Sequence, residues 1–272
     1  MDSIFIRFKG NWIKQLKMKK RIKHIIKKIG YTLVKNESFD KLTNHKSINA
    51  KGELLDSFFS LLKSLNFYPE AIYDIGANKG NWTFECLKYF PNATYYLFEP
   101  QQSLESDIKN LVGHYKNVHL YSVGVGDVND DLNFTIHKRD DSCSYNYTED
   151  EAKVKGFKQI KLPIVRLDSF VVDNNLKPPN LLKIDAEGLD LKVLEGGLAL
   201  LSSVEVIMVE VAIVNPRMEN TVLNVLNYLD DKGFKLFDIT DINRPFSNNV
   251  LWLSEFVFIK KEGMLDQDYN KI

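Results

Sequence analysis

Residues able to do chemistry stand at the ends of short apolar runs. Ala71-Ile72-Tyr73 leads into Asp74, and the turn Asp74-Ile75-Gly76-Ala77-Asn78-Lys79-Gly80 then sets two glycines four apart. Glycine lets a backbone turn sharply and approach a ligand with no Cβ in the way. Asn81-Trp82-Thr83-Phe84-Glu85-Cys86-Leu87-Lys88 reads as a helix, whose first N–H groups would point at that ligand. A second β-rich run, Ala93 to Phe98, ends in Glu99-Pro100, 19 residues after Gly80. A carboxylate at that strand tip can accept hydrogen bonds from both hydroxyls of a ribose. Alone, the turn is any tight strand–helix connection and Glu99 any strand-end acid. Together they indicate an adenosine-containing ligand.

Two familiar nucleotide motifs do not match. A phosphate loop needs Gly-Lys-Ser/Thr, but Gly80 is followed by Asn81-Trp82. A dinucleotide fingerprint needs a third glycine, which this turn lacks. A nicotinamide-dependent oxidoreductase is therefore the weaker alternative.

The Asp-Ile-Gly-Ala-Asn-x-Gly turn resembles the first motif of the FkbM family of S-adenosylmethionine-dependent methyltransferases. The resemblance runs from about Glu70 to Lys260. It includes Phe98-Glu99-Pro100, Val123-Gly124-Val125-Gly126-Asp127, Arg166-Leu167-Asp168-Ser169, Leu182-Lys183-Ile184-Asp185-Ala186-Glu187-Gly188, Val193-Leu194-Glu195-Gly196 and Leu251-Trp252. It implies a class I methyltransferase fold and methyl transfer to an oxygen nucleophile. The acceptor it implies is a small molecule or a sugar hydroxyl of a surface glycan, glycolipid or secondary metabolite.

The resemblance also assigns roles. Asp74, Gly76, Asn78, Gly80 and Glu99 would hold the cofactor. Asp127 would accept a bond from the adenine amino group, although Gly126-Asp127-Val128-Asn129-Asp130 is also turn-rich. Ser142 and Ser144 fall where the family carries a small polar pair near the cofactor or substrate, but Cys143 interrupts them. Asp185 and Glu187 occupy the corner that faces the methyl group. Either can take a proton from a hydroxyl, or help hold a divalent metal that acidifies it. Glu187 can equally be a charge placed at a helix start. Leu189 stands where the family often has a histidine, which leaves His137 as the one histidine worth testing as a base. A metal is not favoured; if one binds, Asp185 and Glu210 are its candidate ligands. Trp252 and Glu255 match a C-terminal family segment, and Arg217 and Arg244 are candidate contacts for a polar substrate.

Alternating apolar runs and helical patterns position these residues. Strands are expected at 71–75, 94–98, 118–123, 181–185, 204–211, 234–239 and 254–260, and helices at 167–174, 188–201 and 219–232. Two extra strands, 132–137 and 158–165, would flank a polar stretch at 138–156. Such alternation predicts an α/β fold with a mostly parallel sheet and helices on both faces. By resemblance the sheet has seven strands, the last antiparallel and inserted between the fifth and sixth.

Composition adds limits. The 272 residues are 44% hydrophobic with zero formal net charge, ordinary for a globular chain. No run of 18 apolar residues exists, and the N-terminus lacks the apolar core of a secretory signal. Cys86 and Cys143 show neither metal spacing nor a disulfide framework, as expected of a reduced, cytoplasmic protein. The zero charge hides a split. Residues 1–35 carry eleven Lys/Arg against one acid, a net of +10, and the remainder carries 25 bases against 35 acids, a net of −10.

Trp12, Leu16, Ile22, Ile25, Ile26, Ile29 and Leu33 recur at roughly helical spacing among the lysines of 1–35. This reads as a basic amphipathic helix, suited to an anionic membrane surface at the inner face or to packing on protein. Nucleic acid is not expected, since no accompanying motif supports it. Residues 36–52 read as a linker, 53–262 as the methyltransferase domain and 263–272 as a tail, with the domain opening on a helix at 53–65. A membrane-associated protein with a vestigial cofactor pocket is the non-enzymatic alternative. Oligomeric state is not legible.

Overall fold

The computed structural model describes residues 50–137, 143–215 and 217–269. The expected basic helix at 1–35, the linker up to residue 49, and Ser142 all lie outside the described residues.

Among the described residues ten strands form two sheets. The large sheet contains β1 (Ala71–Ile75), β2 (Thr94–Phe98), β3 (Val118–Tyr121), β7 (Leu181–Ile184), β8 (Val206–Ala212), β9 (Phe234–Asn243) and β10 (Leu253–Lys260). Their order is β3-β2-β1-β7-β8-β10-β9. All neighbours are parallel except β10, which is antiparallel to both β8 and β9. The late strand is thus inserted as expected. The chain runs outward from β1 to β3 and then returns to β7 beside β1. That reversal opens a crevice at the carboxyl ends of β1 and β7, where open α/β sheets bind ligands.

Both faces of the sheet are buried. Tyr73, Ile75, Phe98, Leu182 and Ile184 pack on one face, and Ile72, Tyr95, Leu97, Leu181 and Met208 on the other. Each fully buried large aliphatic or aromatic side chain contributes roughly 1.5–3 kcal/mol. The helices that cover the sheet include α1 (Ala50–Ser64), α2 (Asn81–Leu87), α3 (Glu105–Val112), α5 (Leu167–Asp173), α6 (Asp190–Gly196) and α7 (Val222–Asp231). Phe58 of α1 meets Phe237 of β9, and Phe59 meets Trp82 of α2.

The structure departs from the expected elements in several places. Residues 50–52 belong to α1 rather than to a linker. The expected strand 118–123 ends at Tyr121; Gly124–Gly126 forms a separate strand, β4, that joins β5 (Asp130–Ile136) and β6 (Lys158–Arg166) in a small sheet. Gly124 permits this, because a Cβ there would lie only 2.5 Å from the Ile164 side chain. The polar stretch between β5 and β6 contains α4 (Glu149–Lys155), started by a capping box in which Thr148 and Glu151 exchange hydrogen bonds. The expected helix 188–201 is α6 followed by a 3₁₀ turn at Leu198–Ser202, with Gly196-Gly197 at the break. Among the described residues no helix is long and apolar enough to cross a membrane.

Candidate active site

The glycine turn is built from the backbone. The Gly76 and Ala77 N–H groups both donate to the carbonyl of Phe98, at 2.9 and 3.1 Å. Gly76 adopts a left-handed φ of 76°, and a Cβ on it would sit 1.9 Å from the carbonyl oxygen of Asp185. Only glycine lets the first turn and the turn after β7 meet this closely. Asn78 is also left-handed, with φ 49°, a conformation asparagine tolerates.

Glu99 secures this turn. Its carboxylate accepts from the Asn78 N–H and from the Gln101 N–H, both at 2.9 Å. Burial pushes its carboxyl up to about 7, and the two N–H donors oppose the shift. A carboxylate has about four acceptor positions, so two remain for other donors. Gly76, Asn78 and Glu99 line one cleft with Tyr145, Asp185 and Glu187.

Asp74 and Asp127 do not reach that cleft. Asp74 is fully buried on the face of β1 that carries Ile72. It accepts from the Thr83 hydroxyl of α2 at 2.6 Å and lies 3.3 Å from the Lys183 ammonium. Asp127 is turned toward α6, 3.3 Å from Lys192. Gly80 closes the glycine turn by donating to the Ala77 carbonyl at 2.8 Å.

Lys183 was not singled out by its sequence position, although one lysine in the buried run Leu181-Leu182-Lys183-Ile184 was a visible signal. Its ammonium is 3.3 Å from Asp74 and 3.5 Å from Asp185, and it donates to the Gly76 carbonyl at 3.2 Å. Burial works against its charge, yet the two aspartates hold it protonated above the ordinary lysine range. One buried cation therefore ties the glycine turn to the Asp185 corner.

That corner is fixed from below by Asp190. Its carboxylate accepts from the Ala186 N–H at 3.0 Å, the Gly188 N–H at 3.3 Å and the Asn220 amide at 3.0 Å. Burial, then the Asp185 charge, raises Asp190 to about 6. Glu187 between them holds a left-handed φ of 52°, a strained backbone for a side chain with a Cβ. Its carbonyl accepts from the Tyr145 N–H at 3.1 Å.

A second cleft opens on the other side of Glu187 and is the roomier, about 410 Å³ against about 50 Å³. Tyr147, Phe246, Trp252 and His137 supply aromatic walls. Phe246 and Trp252 meet edge to face at 5.0 Å, and Arg217 lies over the Tyr147 ring at 4.9 Å. Asn146, Asn215 and Asn243 add amides, and Ser144 lines the same space. His137 thus belongs to the second cleft, packed on Tyr147 and Phe157, rather than beside Asp185.

Glu210 pairs in register with Glu255 on β10. Among the described residues no group of three or more His, Cys, Asp or Glu is placed to hold a metal. The first cleft thus brings together a buried acid, the glycine turn and a phenol at Tyr145 whose hydroxyl is unpaired among the described residues. Two carboxylates near its border with the second cleft can receive a proton.

Residues 74–236, more than half of the chain, match the model of the methyltransferase FkbM domain. The chain is 29% identical over 142 residues to Methyltransferase 1 of Beauveria bassiana (strain ARSEF 2860), a match that spans 46% of this chain and 57% of that protein. Among solved structures it resembles the SAM-bound magnesium protoporphyrin IX methyltransferase of Synechocystis PCC 6803, with 10% identity and a TM-score of 0.44 over 90% of this chain and 92% of that one. It also resembles the 1,6-didemethyltoxoflavin-N1-methyltransferase of Burkholderia thailandensis, with 9% identity and a TM-score of 0.43 over 84% and 92%. The family match takes in the glycine turn, Glu99 and the Asp185–Gly188 corner, and the chain belongs to the FkbM methyltransferase family.

Proposed function

We propose that the protein transfers a methyl group from S-adenosylmethionine to a hydroxyl, with a sugar as the acceptor. The observation that carries the proposal is that Glu187 lines both clefts. A group there touches whatever occupies either side. The bound cofactor supplies a methyl group on a sulfonium, which is already a good leaving group. The protein's task is then to align the hydroxyl and to remove its proton.

In this reading Glu99 and the Gly76–Gly80 turn hold the adenosyl group in the first cleft. Glu187 receives the hydroxyl proton at its carboxylate. Asp185, held by Lys183, orients the hydroxyl from the same turn. The second cleft binds the acceptor. Sugars present apolar C–H faces and hydroxyl edges, and this cleft offers aromatic planes and side-chain amides. Arg217 adds a donor for an acidic sugar, since its exposed pairing with Glu151 is weak enough to exchange.

The test is transfer of labelled methyl to glycan and glycolipid fractions by the wild type and by Glu187→Gln. The expected product is an alkali-stable methyl ether, with turnover in the variant about 10² lower or less. Alkali-labile label would mean a carboxylate acceptor. Binding of NAD in place of S-adenosylmethionine would make the protein an oxidoreductase.

We further propose that residues 1–35 hold the enzyme at an anionic membrane, where a lipid-linked acceptor resides. The support is their net charge of +10 and their isoleucine-rich periodicity.

A further inference from the structure

Tyr145 is the place where the described residues leave a polar group in the cofactor cleft with nothing to bond. Its ring packs on Phe134 at 4.7 Å between centroids. Its N–H is used, donating to the Glu187 carbonyl. Its hydroxyl oxygen is buried and has no hydrogen-bond partner. Buried hydroxyls are normally paired, because water has been given up and nothing has replaced it. Burial, with the Glu99 and Glu187 charges nearby, raises the phenol above its ordinary range, so it is a neutral donor at physiological pH.

The position of the hydroxyl is informative. It lies 3.3 Å from the point where a side chain on Gly124 would begin, on the cleft wall that includes Glu99 and Pro100. Glu99, the candidate ribose acceptor, stands on that wall. The oxygen has no exposed surface in the unliganded cleft, so the wall must give way a little for a ligand to reach it.

We propose that the Tyr145 hydroxyl is a cofactor-binding group that hydrogen-bonds the adenosyl moiety. This rests on the first cleft being the S-adenosylmethionine site. The same residue then joins the two clefts. Its side chain reads the cofactor, its N–H holds the Glu187 carbonyl, and its chain neighbours Ser144, Asn146 and Tyr147 line the acceptor side.

The proposal predicts an unusual pairing of effects for Tyr145→Phe. The unliganded protein gains or keeps stability, because an unpaired buried hydroxyl is removed and the ring stays. Affinity for the cofactor falls, because the bond made on binding is gone. The experiment is calorimetric titration of wild type and Tyr145→Phe with S-adenosylhomocysteine, which binds without turnover, beside thermal melts of both unliganded proteins. The expected result is affinity about 3- to 10-fold weaker in the variant, with an unliganded melting temperature equal to or above that of the wild type. Equal affinities would overturn the proposal. So would a lower unliganded melting temperature, which would give the hydroxyl a structural partner. A wild type that binds no S-adenosylhomocysteine would remove the cofactor reading itself, and this inference with it.

Discussion

Lys183 and Asp74 face each other in register on the adjacent parallel strands β7 and β1, ammonium to carboxylate at 3.3 Å, both almost wholly buried. The same ammonium reaches the Gly76 carbonyl and Asp185. A residue expected to touch the cofactor is instead buried away from the first cleft. Asp74 is the counter-charge that allows a cation to sit beneath both turns.

Lys183→Met should therefore be severe. It leaves Asp74 buried and uncompensated, which costs about 3–5 kcal/mol. Asp74→Asn combined with Lys183→Met should recover much of that loss, because neither charge is then orphaned. Urea unfolding of the wild type and of both variants measures this. A Lys183→Met protein within about 1 kcal/mol of wild type would contradict a buried ion pair, since most surface changes fall in that range.

Cofactor affinity should depend on pH through Glu99. Its folded value, about 7, lies above its ordinary 4.5. The neutral form is thus favoured in the unliganded fold. That preference stabilises the fold fully below about pH 4.5 and is lost as pH rises through 7. Ribose hydroxyls donate to the ionised form, so binding should tighten about ten-fold between pH 6 and 8, with proton release near neutrality. Glu99→Gln should flatten the profile, and Glu99→Ala should weaken binding about ten-fold. Titrations in buffers of different ionisation enthalpy read both affinity and protons. A flat wild-type profile would take Glu99 out of the cofactor contact.

Asp185→Asn keeps the shape of the corner and removes its charge. Turnover should fall about 10² or more while S-adenosylhomocysteine affinity stays near wild type. A chelator added to the wild type separates the roles, because only a metal-dependent reaction would stop. Undiminished turnover in the variant would exclude Asp185 from the reaction.

The two clefts should separate kinetically. Trp252→Ala removes an aromatic wall of the second cleft. Acceptor KM should rise several-fold, with cofactor affinity unchanged. Weakened cofactor binding with an unaltered acceptor KM would place Trp252 in the wrong cleft.

For residues 1–35 the check is vesicle sedimentation of the full chain against one beginning at Asn49. Only the full chain should pellet with anionic vesicles, and less so at high salt. Equal recovery of both in the supernatant would end the membrane proposal.

Much of this fold was legible because its strands are apolar runs that stop at acids: 71–75 at the glycine turn, 94–98 at Glu99, 181–184 at Asp185. What could not be read has physical causes. Both faces of the parallel sheet are buried, so alternation carries no inside-or-outside signal, and Asp74 gave no hint that it turns to α2. The apolar run through Val123 continues past the point where the chain changes sheets. The capping box Thr148-x-x-Glu151 was readable, but the surrounding polarity masked its helix. Lys183 and Gly76 are 107 residues apart, and no local pattern shows a contact between them. Asp190 and Tyr145 matter for the same reason, through groups brought to them from other parts of the chain.

The insertion of β10 between β8 and β9 bears on how the protein is made. The ribosome produces β10 after every other strand of the sheet, yet it lies inside, bonded on both edges. Until Leu253–Lys260 has emerged, β8 presents an open edge and β9 has no sheet to join. At about 5–20 residues per second the nascent chain holds that edge unpaired for seconds, the interval in which strand edges aggregate or recruit chaperones. A chain stopped before residue 253 would carry the glycine turn, Glu99 and the Asp185 corner, and still could not close its sheet.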